Sequence, residues 1–224
     1  MTVPHTTHRA PARWVPLALV ALSIGPALAG SLRLAGLAGG PALMPVDPRI
    51  DAFALPVILH IVSVIPYSLL GAFQFSSRLR RRHPRWHRMT GRVLVPLALA
   101  VALSGLWITL AYPLKPGSGV LLFGIRLVVG TVMAAAVVLG FAAIRSGDVP
   151  RHRAWMTRTY ALALGAGTQL ITGAIGPALV GTSVLAHDLT MGAAWAVNLA
   201  VAEVVIRRSR QGAGRVAARA GVAT

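Results

Sequence analysis

The sequence predicts an all-α polytopic membrane protein, a bundle of six transmembrane helices. Three observations lead to this fold class. Hydrophobic residues make up 55% of the 224 residues, and the mean hydropathy is +0.69. Only 12% of the residues are charged, which is about half the fraction found in typical soluble domains. The charged residues also lie between long apolar runs rather than being spread along the chain.

Six apolar stretches are long enough to cross a hydrocarbon core of about 30 Å as helices of about 20 residues. They run from Trp14 to Leu37, Ala52 to Phe75, Val93 to Tyr112, Val120 to Ile144, Thr159 to Leu179 and His187 to Ile206. Pro56 and Pro96 fall in the first turns of the second and third spans, where a missing amide costs little. Pro26 and Pro66 lie deeper, so we expect them to kink their helices. The short link at 181–183 predicts that the last two spans form an antiparallel hairpin.

Basic residues predict the orientation of these spans. Eighteen of the 22 basic residues lie in the N-terminal tail, in the loops after the second and fourth spans, and in the C-terminal tail. Only Arg49 and Lys115 lie on the opposite side. Because basic loops stay in the cytoplasm, we expect a multi-pass protein of the inner (cytoplasmic) membrane with both termini cytoplasmic. The domain division is then a tail over 1–13, the six-helix domain over 14–206 and a basic, disordered tail over 207–224.

The composition excludes several classes of function. The absence of cysteine excludes disulfides, thiolate metal sites, iron–sulfur clusters and covalently bound c-type haem. Five acidic residues are too few for a carboxylate-rich metal site. The net charge of +17 does not indicate nucleic-acid binding, because the arginines border membrane spans, where they meet anionic lipid headgroups. A signal peptide ending at Ala29 is an alternative interpretation of the first span, but apolar character continues through Leu37.

The loops after the second and fourth spans are similar in sequence. Residues 84–92 contain Pro-Arg, His-Arg and Met-Thr in that order, and residues 150–158 contain the same pairs with one-residue shifts. The similarity indicates a duplicated helical hairpin, with spans two and three corresponding to spans four and five. Chance similarity in an arginine-rich chain is the alternative.

Short motifs follow one another in a distinctive order from the second span onwards. They are His60-Ile61-Val62, Gly71-Ala72-Phe73-Gln74-Phe75, His87-Arg88-Met89-Thr90-Gly91-Arg92, Gly147-Asp148, His152-Arg153-Ala154-Trp155-Met156-Thr157-Arg158 and Trp195-Ala196-Val197-Asn198. Over roughly residues 55 to 207, this pattern resembles a bacterial family of predicted membrane proteins, domain of unknown function 2306. The resemblance implies a multi-helix membrane fold and no established chemistry. Family members often continue the fifth span with a Thr-Leu-Arg-like segment, whereas this chain has Thr168-Gln169-Leu170.

Polar residues inside the spans lie at helical spacing and usually face the interior of a bundle. The stripes are His60, Ser63, Tyr67, Gly71 and Gln74; Arg126, Gly130, Met133 and Gly140; Gly165, Gln169, Thr172 and Gly176; and His187, Met191, Ala194 and Asn198. They indicate either a ligand pocket or close packing of helices through small residues. We assign structural roles to Gln169, Asn198 and Glu203. Glu203 is expected to pair with a loop arginine, and the candidates are Arg88, Arg92 and Arg158.

Two histidines and two arginines lie at similar heights in the outer half of four spans. They are His60, His187, Arg126 and Arg33. The leading hypothesis is a non-covalent b-type haem in an electron-transfer protein, with His60 and His187 as iron ligands and Met191 as a substitute for His187. Arg126 and Arg33 would pair with the propionates. The alternatives are a transporter-like protein that binds a small molecule, an anion or a lipid, and an accessory subunit whose polar stripes only pack helices. Enzymatic activity is left open.

A second candidate site lies on the basic side, where the similar loops place histidines beside arginines. Its residues are His87, Arg88, Arg92, His152, Arg153 and Arg158. If the duplication is real, His87 and His152 meet across a pseudo-twofold axis. A bis-histidine site, a quinone head-group site or a site for an anionic phospholipid headgroup would suit this arrangement, and a solvated, lipid-facing loop is the alternative. The expected partners are membrane lipids and either a second copy or a redox partner, but not nucleic acid.

Overall fold

The computed structural model describes residues 14–221, with side chains as far as residue 212. This range forms helices and no strand. The helices are α1 (Trp14–Leu37), α2 (Pro48–Ala52), α3 (Leu55–Gln74), α4 (Ser77–Arg82), α5 (Pro84–Ala111), α6 (Val120–Arg145), α7 (Val149–Ala163), α8 (Gly165–Val180) and α9 (Val184–Gly221). The N-terminal tail over 1–13 and the last residues, 222–224, lie outside the described residues.

The helices confirm the predicted all-α, membrane-spanning architecture. Five of them, α1, α3, α5, α6 and α9, are long and apolar enough to cross a membrane. The pair α7 and α8, bent by 44° at its break, is together long and apolar enough to be either a sixth span or a re-entrant segment. Each of α1, α3, α5, α6, α9 and α8 packs against the next in that order, and α8 packs back against α1. The helix α7 contacts α3, α5, α6, α8 and α9, so it occupies the centre of the bundle.

The core lies where α3, α5, α6 and α7 meet. Its buried residues include Tyr67, Ala72, Leu94, Ala98, Val101, Ala102, Met133, Val137, Tyr160 and Leu162. The hydroxyl of Tyr160 donates to the carbonyl of Ser68 at 2.6 Å, which satisfies this phenol inside an apolar region. Gly71 is required beside it, because a Cβ there would lie 2.6 Å from the Tyr160 ring. Large apolar side chains outside the core face outwards, as contact with lipid requires.

The basic segments are helical, so their prediction as loops is wrong. The helix α5 begins at Pro84 and α7 at Val149, well before the apolar residues that mark the spans. A proline in the first turn of each helix fits there without losing a hydrogen bond, and arginine favours helix. As a consequence, Pro96 lies inside α5 rather than in a first turn. We expected a disordered tail over 207–224. The helix α9 instead continues through this segment as far as Gly221.

The turn between α8 and α9 has the predicted hairpin geometry. Only residues 181–183 separate the two helices, which pack against each other. Gly181 has a φ of 83°, a conformation that glycine adopts without strain. The Ser183 hydroxyl then accepts the amide of Ala186 and caps the start of α9.

Candidate functional site

A cavity of 460 Å³ lies inside the bundle. It extends from α2 at 49–50 and the loop at 112–115, opposite the basic end, to the junction of α7 and α8 at 162–167. Its walls are mainly apolar, and its polar lining residues are Ser23, Arg49, His60, Ser68, Thr109, Tyr112, Lys115, Arg126, Gln169 and Trp195. The volume is in the range of small-molecule sites in proteins.

The charged residues that line the cavity are all cations. They are Arg49, Lys115 and Arg126, and no aspartate or glutamate is in the lining. Arg49 forms an ion pair with Asp47 at 2.7 Å. Within the described part of the chain, neither Lys115 nor Arg126 forms an ion pair. The cavity is therefore electropositive, which favours an anionic ligand.

Hydrogen bonds tie together the loops at the mouth of the cavity. The Tyr112 hydroxyl donates to the carbonyl of Phe53, and Arg49 Nη1 donates to the carbonyl of Pro113 at 3.1 Å. The hydrogen bond between Arg49 and Asp47 lowers the pKa of Asp47 and raises the pKa of Arg49. Both groups therefore stay ionised near neutral pH, so their ion pair at the mouth is retained there.

Arg126 is the most informative charge in the cavity. It lies near the start of α6, in an apolar helix that crosses the membrane, and it is half-buried. Its guanidinium forms no ion pair or side-chain hydrogen bond with the residues that the structure describes. The carboxylate within electrostatic range is Asp188, which is already bound to backbone amides. A charged side chain inside a membrane span is costly and usually has a partner, so an arginine without one is a candidate functional residue.

His60 reaches the same cavity from α3. Its Nδ1 lies 3.0 Å from the hydroxyl of Ser104, and that hydroxyl donates to the carbonyl of Ala100 at 2.5 Å. Ser104 can therefore only accept from His60, which places the imidazole proton on Nδ1. The Nε2 atom keeps a free lone pair. The role of Ser104 has no signature in the sequence, because a serine in a span commonly bonds only its own helix.

The structure brings together some of the predicted outer-site residues and separates others. His60, Arg126 and Gln169 line the cavity, whereas Arg33, His187 and Met191 do not. The side chain of His187 is 40% exposed and lies 3.4 Å from Asp188. Arg33 donates to the carbonyl of Pro45 at 2.8 Å. Residues missed by sequence reasoning include Arg49, Lys115 and Trp195, which lie on α2, on a loop and on α9, and which only folding brings together.

Asp188 joins α9 to the start of α6. It is 1% exposed, and its two oxygens accept the amides of Gly119 and Leu122 at 2.9 and 3.0 Å. No side chain from its own sequence neighbourhood caps α6. A carboxylate at a helix N-terminus is favoured by the helix dipole. The buried aspartate is thus a cap supplied by a distant helix, and no local pattern predicts it.

The broken span forms the inner end of the cavity. The carbonyls of Ala161 and Leu162, at the end of α7, accept from Asn198 Nδ2 and Trp195 Nε1, each at 3.1 Å. The hydroxyl of Thr168 in α8 donates to Asn198 Oδ1 at 2.8 Å. Backbone groups freed by a break inside a membrane need such partners. The helix α9 supplies them, and discontinuous helices of this kind border substrate sites in many transporters.

At the basic end, Glu203 binds Arg158, which is one of its three expected partners. Arg158 Nε and Nη2 donate to the two carboxylate oxygens at 2.5 and 3.1 Å. The same guanidinium lies over the ring of Trp155, 4.8 Å from its centroid. Arg88 and Arg92 are exposed. The pair joins α7 to α9 and leaves Arg158 unavailable for another ligand.

The two histidines of the basic end lie in the first turns of α5 and α7, each followed by an arginine in the sequence. His87 is within electrostatic range of His152 and Arg80, and Arg80 is within range of Arg153. His152 Nδ1 lies 2.8 Å from the carbonyl of Gly140, to which it donates. These side chains come from α4, α5 and α7.

The fold and the cavity define this protein as a polytopic α-helical membrane protein with an electropositive internal cavity. The chain belongs to the family of predicted membrane proteins called domain of unknown function 2306, whose profile matches residues 57–206. The match runs from α3 into α9 and confirms the resemblance seen in the motifs. No curated protein and no solved structure is significantly similar to the chain.

Proposed function

We propose that this protein binds a small anionic molecule with an apolar part, in the manner of a transporter. The observation that carries the proposal is Arg126, a charge inside a membrane span that borders a cavity and has no carboxylate partner among the described residues. A bound anion would compensate this charge. The apolar walls would contact the rest of the ligand.

The chemistry of the lining favours a carboxylate or a phosphate ester as the anionic group of the ligand. A guanidinium binds either group through two parallel hydrogen bonds. Lys115, nearer the mouth, adds a second positive charge on the path of entry. His60 Nε2 accepts a hydrogen bond, so a hydroxyl or a protonated acid group of the ligand has a partner.

We further place the protein in the cytoplasmic membrane with its basic end in the cytoplasm, because arginine-rich segments are retained there. The mouth of the cavity, at 49–50 and 112–115, then opens on the outer side. The ligand would enter from outside the cell or from the outer leaflet.

The test compares Arg126→Gln with Arg33→Gln in discs of neutral lipid. Arg33 is the matched control, because it also lies in the outer half of a predicted span but does not line the cavity. Decanoate and decyl phosphate should raise the Tm of the wild type and of Arg33→Gln, whereas decanol and decyltrimethylammonium should not. Loss of a hydrogen-bonded charge should weaken binding roughly ten- to hundredfold in Arg126→Gln. Equal binding of decanoate by both variants would exclude this site.

A b-type haem is the second candidate ligand, and it is favoured by His60, which lines the cavity and bonds Ser104 through Nδ1. The Ser104 hydrogen bond holds the imidazole in the tautomer that an iron ligand needs. His187, the expected second ligand, is not in the cavity lining, so a haem there would rely on another axial ligand or on none.

A difference spectrum between reduced and oxidised protein, purified with haem supplied, tests this candidate. The wild type should show the absorbance of a b-type haem, and His60→Ala should abolish it. Arg126→Ala should loosen the haem without changing its ligands, and His187→Ala should leave the spectrum unchanged if His60 is the only ligand. Colourless wild-type protein would eliminate the haem hypothesis and leave the anion site untouched.

A further inference from the structure

The cavity is charged near its mouth and apolar where it meets the junction of α7 and α8. Its three cations are Arg49 on α2, Lys115 in the loop at 112–115, and Arg126, six residues after the start of α6. The lining near the junction belongs to the core around α7 or packs against it, and includes Val64, Val101, Ala102, Met133, Leu162 and Ala163. We call these six residues the apolar end. Among the described residues, no charged side chain lines this part of the cavity.

The polar side chains nearest to the apolar end already have hydrogen-bond partners. Each of four side chains donates to a main-chain carbonyl: Ser23 to Leu19 at 2.9 Å, Ser68 to Ile65 at 3.1 Å, Gln169 to Met191 at 3.2 Å, and Trp195 to Leu162 at 3.1 Å. A polar group of a ligand would lose its bonds to water in this region and gain few in return, which costs free energy. The apolar end therefore suits hydrocarbon.

The rise of the helices gives the distance between the charged part of the cavity and the apolar end. Met133 lies seven residues after Arg126 in α6, which is about 10 Å along the helix axis. The same separation holds in α5, where Ala102 lies seven residues before Thr109, a lining residue near the mouth. An extended chain advances about 1.2 Å per bond, since the three main-chain bonds of a residue span about 3.6 Å. A chain of about eight to ten carbons therefore covers this distance.

We propose that the ligand is a single-chain anionic amphiphile of about eight to ten carbons, with its acid group at Arg126 and the end of its chain at the apolar end. This inference rests on the proposed function and adds the class, the orientation and the length of the ligand. The guanidinium binds a carboxylate or a phosphate ester. Burial of the chain supplies the remaining affinity. A compact polyanion would leave the apolar end unfilled.

Two residues of the apolar end are expected to set the chain length. Ala163 is the last residue of α7 and lines the cavity with a small side chain. Met133 lines it from α6 with a large side chain that is 3% exposed. A larger residue at 163 should shorten the space for the chain, whereas a smaller residue at 133 should lengthen it.

The first test measures affinity for straight-chain acids from hexanoate to tetradecanoate, taken from the rise in Tm of the full-length protein in discs of neutral lipid. Wild-type affinity should increase roughly fourfold per methylene up to about ten carbons and then level off. Ala163→Leu should bind decanoate roughly tenfold more weakly and octanoate unchanged, and Met133→Ala should bind dodecanoate more tightly than the wild type does. Ala142→Leu, at an exposed position of α6 outside the lining, is the matched control and should follow the wild type. All variants share the same discs, so partition of the acids into lipid cancels.

The second test measures orientation in the wild type, so it does not depend on the folding of a variant. Decanoic acid carrying a photoreactive diazirine near the end of its chain should label the apolar end. The same acid with the diazirine next to its carboxylate should label residues at 109–115 and 123–126, nearer the mouth. Mass spectrometry of peptides locates the labels, and excess decanoate should remove both.

Failure of this inference is distinguishable from failure of the proposed function. Binding of inorganic phosphate or butyrate as tightly as decanoate, with loss in Arg126→Gln, would overturn the amphiphile and leave the anion site in place. Identical chain-length profiles in Ala163→Leu, Met133→Ala and the control would overturn the role of the apolar end. Reversed labelling would overturn the orientation. A wild type that binds none of the acids would overturn both the inference and the proposed function.

Discussion

At the scale of single residues, two opposite charges near the start of α6 differ in how they are compensated. Asp188 is enclosed and accepts two amides, whereas Arg126 faces a cavity and has no such partner among the described residues. Arg126 was predictable as a site residue, because an arginine in an apolar run is conspicuous. The capping role of Asp188 was not predictable, since its partners are about 66 to 69 residues away in sequence.

The role of Asp188 leads to a prediction for stability. Asp188→Ala leaves the buried amides of Gly119 and Leu122 without acceptors, and each lost partner costs roughly 1–3 kcal/mol. We expect a lower free energy of unfolding in detergent, measured by titration with a denaturant, and a smaller loss in Asp188→Asn, which keeps one oxygen. Asp51→Asn changes an exposed aspartate and should have almost no effect. Equal stability of Asp188→Ala and the wild type would contradict the capping role.

At the scale of helices, hydropathy predicts the spans well because it depends only on neighbouring residues. Hydropathy does not predict the break between α7 and α8, because the glycines at 165 and 167 do not lower the hydropathy enough to mark an interruption. Hydropathy also does not predict that the basic segments are helical, but for a different reason. Charge marks where a span ends, but it does not mark where a helix ends.

The broken span gives a second prediction. Asn198→Leu removes the donor to Ala161 and the acceptor for Thr168, so the backbone at the junction loses support. Hydrogen exchange of the amides at 164–168 should become faster, and the effect should be confined to this region and the facing part of α9. Val197→Ala alters a neighbouring, exposed position and should leave the exchange unchanged. Unchanged exchange in Asn198→Leu would show that the junction does not depend on α9.

At the scale of the whole molecule, the number of crossings can be tested directly. The bent pair has 15 and 16 residues in its two helices, about 45 Å of rise in total, which is enough to cross the membrane despite the bend. Reporter fusions at Arg82, Gly147 and Arg210 should therefore report the cytoplasm. Fusions at Asp47, Gly117 and Ser183 should report the outside. A cytoplasmic signal at Ser183 with an external one at Arg210 would mean that the pair re-enters without crossing.

The cavity belongs to this scale, and its composition explains why the sequence predicted it only in part. Its lining comes from residues between Leu22 and Trp195, on eight helices (all of the nine that the structure describes except α4) and on the loop at 112–115. Helical spacing identifies His60 and Arg126, because each belongs to a stripe on its own helix. Which stripes face the same space depends on how the helices pack, and this is why His187 was grouped with them although it lies outside the lining.

The hydrogen bond between Trp195 and Leu162 at the inner end of the cavity also has a spectroscopic consequence. Of the five tryptophans in the chain, Trp195 is the one that lines the cavity. Its indole is held in a fixed orientation by the Leu162 carbonyl at 3.1 Å. Indole emission depends on the polarity around the ring, so a molecule that occupies the cavity beside Trp195 should change the emission of this residue. A form of the protein in which Trp195 is the sole tryptophan would thus report occupancy of the cavity by its own fluorescence, without an attached dye.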